Sequence, residues 1–179
     1  IKVLKPDINK SSAYFTSEEN GIRYGLLAIK TLGMGVISGI LKERDENGEF
    51  INLQDFCSRT AEIGVSKVSV EYLIKSGAFD GLGANRRQMI SNYEFLMDSA
   101  SDFSKSNLDG QMGLFSEENS PTAVDVEFKP EEEYRYADLL CFEKFATGMY
   151  ISGHPADPYK TALKLMHIPD ALHVQSNLK

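Results

Sequence analysis

The sequence predicts a mainly α-helical fold with a small β element near the N-terminus, a polar linker, and further helices at the C-terminal end. Three observations predict it. From Gly25 to about Leu96 apolar residues recur at helical spacing, as in Val36 with Ile40 and Ile37 with Leu41. Short extended runs punctuated by turn residues fill only the first 24 positions. Residues 101–130 are rich in Ser, Asp, Glu and Asn, with Pro121 and Pro130, a composition that reads as a flexible acidic linker.

Residues 1–24 form an extended lead-in. Val3-Leu4 precedes Pro6, and Tyr14-Phe15-Thr16 is expected to pair with Ile22-Arg23-Tyr24 across the polar turn Ser17 to Gly21. Residues 25–100 hold two hairpins of helices. In the first, the runs Gly25 to Lys30 and Val36 to Leu41 flank Thr31-Leu32-Gly33-Met34-Gly35. Gly33 and Gly35 are expected to supply the positive φ and close backbone approach of a tight helix-to-helix turn. Asn47-Gly48 marks a turn, and Phe50, Leu53 and Phe56 then give a short amphipathic helix ending near Arg59. In the second hairpin Val70, Leu73 and Ile74 make an apolar face, Lys75 to Gly83 is a glycine-rich turn, and a helix resumes near Asn85, its expected cap. Placing Ile29-Lys30-Thr31 over Ile74-Lys75-Ser76 gives an offset of 45 residues, so the hairpin recurs. Residues 131–179 return to helix, with Tyr134, Leu139, Phe142, Phe145 and Met149 as the apolar positions. Ser152-Gly153-His154-Pro155 breaks that helix, and a last one is expected from about Pro158 to Met166.

The 179 residues suffice for one ordinary core with a smaller appended piece. The chain starts at Ile1 and reads as a piece of a longer protein, and no apolar stretch approaches the ~20 residues of a membrane span. Cys57 and Cys141 lie far apart, with no partner ligands at metal spacing, and are expected to be reduced core thiols of a cytoplasmic protein. The net charge of −7 is unevenly spread. Residues 1–98 carry 12 basic and 13 acidic side chains, whereas 99–133 carry 2 and 9. The front half can therefore present a basic face although the sum is acidic.

A helix that starts beside Gly35 points unpaired N–H groups and a partial positive charge outwards, which suits a phosphate oxygen. This is the helix-hairpin-helix pattern, which grips a nucleic-acid backbone without reading bases. The candidate phosphate contacts are Lys30, Thr31, Gly33, Met34 and Gly35 in the first hairpin, and Lys75, Gly81, Gly83, Arg86 and Arg87 in the second. Arginines in a helix's first turn oppose its dipole, a conflict that a bound phosphate would relieve. The same residues also fit a plain αα-hairpin whose arginines are simply solvated. Gln111-Met112-Gly113-Leu114-Phe115 is an isolated apolar pentapeptide in the acidic linker, suited either to a partner's groove or to folding back on its own helices.

Seven blocks in order resemble the alpha subunit of bacterial DNA polymerase III: Val3 to Asn9, Ile22 to Gly25, Ile29-Lys30 with its glycine hairpin, Leu73 to Asp80, Asn85-Arg86, Gln111 to Phe115, and Ser152 to Pro155. The resemblance covers roughly residues 1–160. It implies a tandem helix-hairpin-helix DNA-binding domain, a sliding-clamp (beta subunit) contact at Gln111, Met112, Leu114 and Phe115, and C-terminal helices leading towards an OB-fold domain. It also implies that the catalytic carboxylates belong to a palm upstream of Ile1. This stretch of a DNA-directed DNA polymerase is then expected to be inactive alone, with no cofactor or metal. The one local lookalike, Asp125-Val126-Glu127, lies in the linker, which cannot hold two ions at the ~3.5–4 Å such chemistry needs. Lys5 stands where the family commonly has a second proline, and Ala156 where it has leucine. The expected partners are primer-template duplex, the clamp and the rest of the holoenzyme. The competing expectation is an interaction scaffold that attaches to the clamp and has little DNA binding of its own.

Overall fold

A computed structural model describes residues 2–108 and 128–166. Gln111 to Phe115 and Asp125 to Glu127 lie outside the described residues. Strands β1 (Val3–Leu4), β2 (Thr16–Glu18) and β3 (Gly21–Arg23) form a small sheet in the order β1-β3-β2. β1 runs parallel to β3, and β2 antiparallel to it with Ser17 opposite Ile22. The hairpin is tighter than expected. Ser17 and Glu18 belong to the strand, and Glu19-Asn20 alone make the turn.

The helices are α1 (Met34–Asn47), α2 (Leu53–Thr60), α3 (Lys67–Ser76), α4 (Arg86–Leu108), α5 (Tyr136–Thr147) and α6 (Lys160–Leu165). The first arm of the first hairpin is only a 3₁₀ turn, Leu26–Ala28. Its amides reach back to the lead-in, Leu26 N–H to the Ser12 carbonyl and Leu27 N–H to the Ala13 carbonyl, so it does not propagate as α-helix. α4 extends through residues 101–108, which the composition had assigned to the linker. Ser104 Oγ reaches Glu62 there at 3.2 Å.

One core joins the lead-in to both hairpins, from Ile8 and Tyr24 through Ile37, Ile40, Phe56, Leu73 and Phe79 to Met89 and Leu96. Phe50, Phe56 and Phe79 stack edge to face, with centroids 5.0 and 4.8 Å apart. Each fully buried ring contributes roughly 1.5–3 kcal/mol. Polar side chains fix how the segments join. Asn9 exchanges two hydrogen bonds with the backbone of Phe50, both at 2.9 Å, as a strand neighbour would. Arg44 donates to the carbonyls of Ile8 and Ser11. Arg59 lies over the Phe50 ring and bonds Glu43, Gly48 and Asp55, closing the loop between α1 and α2.

α5 packs on α3, and its inward positions are Leu140, Glu143 and Ala146. That corrects the expected apolar face. Phe145 and Met149 are half-exposed, and Tyr134 precedes the helix. Cys141 is exposed on the same helix, so only Cys57 is a core thiol, with burial pushing its pKa up to about 12.

Candidate nucleic-acid interface

The turn of the first hairpin is built differently from the sequence expectation. Thr31 carries the positive φ, 72°, while Gly33 is extended at φ −90° and Gly35 is helical. The turn is pinned on both sides. Lys30 N–H donates to the Ala146 carbonyl at 3.0 Å, and Ser69 Oγ reaches the Thr31 carbonyl at 3.4 Å. α1 then begins at Met34, and its first intrahelical bond runs from Ile37 N–H to the Gly33 carbonyl. The N–H groups of Met34, Gly35 and Val36 precede that bond, and N-cap Gly33 has no side chain to satisfy them. A Cβ built on Gly33 or Gly35 would meet nothing within 4 Å. Neither glycine is there for a positive φ or for packing inside the chain.

In the second hairpin α3 ends at Gly77, φ 83°, and the turn runs through Gly81 and Gly83 to α4. Gly81 and Gly83 are exposed, and a Cβ on either would again meet open space. Gly77 is the opposite case. A Cβ there would run into the Arg86 guanidinium. Asn85 and Gln88 form a reciprocal cap, Asn85 Oδ1 accepting from Gln88 N–H at 2.9 Å and Gln88 Oε1 from Asn85 N–H at 3.1 Å.

Two expected phosphate positions have internal occupants. The N-terminus of α4 holds the carboxylate of Glu133, which accepts from Arg86 N–H at 2.9 Å and Arg87 N–H at 3.3 Å. It is the anion that the helix dipole and paired arginines call for, supplied by the chain itself. Arg86 is buried and cannot face solvent. It makes two bonds to Asp80, at 2.7 and 2.8 Å, one to the Lys75 carbonyl, and one to buried Glu143 at 3.3 Å. Arg86 is withdrawn from the phosphate contacts. A guanidinium in the interior needs this set of acceptors to offset its desolvation.

Glu143 also accepts from the Ile151 and Ser152 amides and from the Ser152 hydroxyl, while Lys5 pairs with Asp80 at 3.1 Å. Lys5, Asp80, Arg86 and Ser152 come from separate blocks of the sequence and meet in this single ionic knot. Burial pushes the Asp80 carboxyl up, but the Arg86 hydrogen bonds and the charges of Arg86 and Lys5 outweigh it and hold the pKa below its ordinary value. Burial lowers the pKa of Arg86, and Asp80 and Glu143 more than restore it. A cleft of about 450 Å³ opens beside the knot between Asn85, Glu133 and Tyr136. His154 closes the adjoining turn, its Nδ1 accepting from Ala156 N–H at 3.1 Å.

The remaining cations are placed as follows. Lys30 Nζ donates to the Phe145 carbonyl at 2.7 Å, and Lys75 Nζ pairs with Glu71. Arg87 is half-exposed, 3.5 Å from Glu131 and over the Tyr134 ring. The structure thus brings Lys30, Thr31 and Lys75 together against α5 and α3. It leaves the amides beside Gly33–Gly35 and the Gly81–Gly83 turn facing outwards. Sequence reasoning missed Asp80, Glu133, Glu143 and Phe145. Glu143 carried a signal, a lone carboxylate between Leu140 and Ala146 on the inward stripe. Among the described residues no three His, Cys, Asp or Glu cluster as a metal site, and no helix is long and apolar enough to cross a membrane.

The helix-hairpin-helix motif family matches residues 1–89. The DNA polymerase III subunit alpha of Borreliella burgdorferi is 41% identical over 165 residues, covering 91% of this chain and 14% of that protein. The same subunit of Bacillus subtilis is 36% identical over the full chain, 16% of its own length, and that of Campylobacter jejuni 33% over 98% of the chain and 15% of its length. The chain therefore spans about one seventh of the length of the curated relatives it matches. Helix-hairpin-helix in its first half and similar to these subunits almost end to end, the chain belongs to the DNA polymerase III alpha-subunit family.

Proposed function

We propose that this chain is the duplex-DNA grip of a bacterial replicative DNA polymerase working in the cytoplasm, and that it also attaches the enzyme to its sliding clamp. One observation carries the first part. Gly33 and Gly35 flank uncapped amides, need no special φ and touch nothing inside the chain. What remains to explain them is room for a neighbour from outside, and a phosphate oxygen matches those amides in charge and geometry. Gly81 and Gly83 give the second hairpin a similar open turn, with Arg87 beside it. Contacts of this kind are blind to base sequence. The clamp contact rests on the sequence of Gln111, Met112, Leu114 and Phe115 and on the family resemblance. Nucleotidyl transfer belongs to the parent polymerase.

The commitments of Arg86, Lys30 and Lys75 favour a second reading, a scaffold for clamp attachment with little DNA binding of its own. Anisotropy of a labelled duplex, titrated with the 179-residue chain at several salt concentrations with and without added clamp, separates the two. The grip predicts sequence-independent binding of roughly 10⁻⁴–10⁻⁶ M at physiological salt that weakens as salt rises. Clamp binding with no duplex binding even at low salt selects the scaffold.

A further inference from the structure

α5 lies across the two hairpins where they are most alike. Lys30 and Lys75, one repeat apart, both end on the Phe145 side chain, their ammonium groups 5.7 and 5.0 Å from its ring centre. Lys30 is held further by the Phe145 and Ala146 carbonyls at the negative end of α5, and Lys75 by Phe142, 5.6 Å away, and by Glu71. Phe145 remains 50% exposed, so burial does not account for its place. Its Tyr72 neighbour and two lysines do. Two residues before it, Glu143 anchors the helix to Arg86 and to the Ile151–Ser152 amides. The anchor is buried, whereas Lys30 lies at the surface and Lys75 is partly buried, each on a long flexible stem.

We propose that α5 is a strap that withholds one lysine of each hairpin from the DNA backbone. Seated, it commits both ammonium groups to the Phe145 ring and to internal acceptors. Displaced at Phe145, it releases two cations at the hairpin turns. Phe145 is then a positioning residue that sets how many phosphates the grip neutralises. The inference rests on the duplex reading above and deepens it, because α5 is also the element through which the chain continues beyond the hairpins.

The test is the salt dependence of duplex binding by the 179-residue chain and by three variants: Phe145→Ala, Lys30→Ala with Lys75→Ala, and all three together. Each phosphate newly neutralised steepens the slope of log affinity against log salt by about 0.9. Phe145→Ala is expected to bind more tightly at low salt, with a slope steeper by about 0.9 to 1.8, and the gain is expected to vanish in the triple variant. An unchanged or shallower slope in Phe145→Ala overturns the strap, as does a gain that survives loss of both lysines. If Phe145→Ala melts far below the parent, Phe145→Leu keeps the bulk without the ring face, and the same slope criterion decides. A parent chain that binds no duplex at low salt overturns the grip and the strap together. Parent binding with an unaltered slope in Phe145→Ala overturns the strap alone.

Discussion

At the residue scale, glycines and carboxylates divide sharply by what surrounds them. Gly77 sits at φ 83° with the Arg86 guanidinium where a Cβ would go, so Gly77→Ala both strains the backbone and displaces a buried cation. The left-handed conformation alone costs about 1–2 kcal/mol for a residue with a Cβ. Denaturant melts of the variant are expected to lose at least that much, and a loss below about 0.5 kcal/mol would contradict the knot. Asp80 predicts a pH dependence. Its folded pKa is depressed, so the stability it contributes is present above its unfolded value of about 3.9 and is lost as pH falls through the folded one. Thermal melts between pH 7 and 3 should show the parent losing stability at the acid end, and Asp80→Asn starting lower with a shallower acid loss. Equal slopes would remove Asp80 from the ionic pair. Gly33 and Gly35 were visible in the sequence, but the reason for them was not. The strained φ falls on Thr31, and only the space around the two glycines distinguishes room for an outside partner from turn geometry.

At the element scale, local patterning was legible and long-range partners were not. The cap at Asn85 and the short α2 follow from spacing that neighbouring residues enforce, whereas the 45-residue recurrence is partial, the leading arm of the first hairpin being a 3₁₀ turn where the second has α3. The fate of Lys30 and the anchoring of Arg86 to Glu143 depend on α5, more than 50 residues away in sequence, whereas Asp80, the closer partner of Arg86, lies only six residues before it. The exposed Phe145 misled the apolar face for a related reason, since its partners are cations as well as other rings. α4 gives the prediction at this scale. Its first amides are satisfied by Glu133, from beyond the 109–127 stretch, rather than by phosphate. Glu133→Ala removes that cap and should cost about 0.5–2 kcal/mol, while duplex binding falls by less than twofold. A large loss of binding without loss of stability would return a phosphate to that helix end.

At the scale of the whole molecule, the two proposed functions fall on different segments and should separate on mutation. Changing Leu114 and Phe115 to Ala should abolish clamp binding, expected near the micromolar range or about −8 kcal/mol, and leave helicity and duplex binding nearly unchanged. A fall of many degrees in melting temperature would instead make the pentapeptide part of this chain's own core. The grip is tested most directly by the hairpin glycines. Gly33→Ala with Gly35→Ala adds two methyl groups to open space, one at the N-cap and one inside α1, where alanine favours helix over glycine by roughly 0.5–1 kcal/mol. If those glycines exist to admit a DNA phosphate, the double variant will melt close to the parent, the helix gain at Gly35 offsetting the N-cap loss at Gly33, yet bind duplex at least tenfold more weakly in anisotropy titrations at fixed salt. Unchanged duplex affinity in a variant of undiminished stability would contradict the grip.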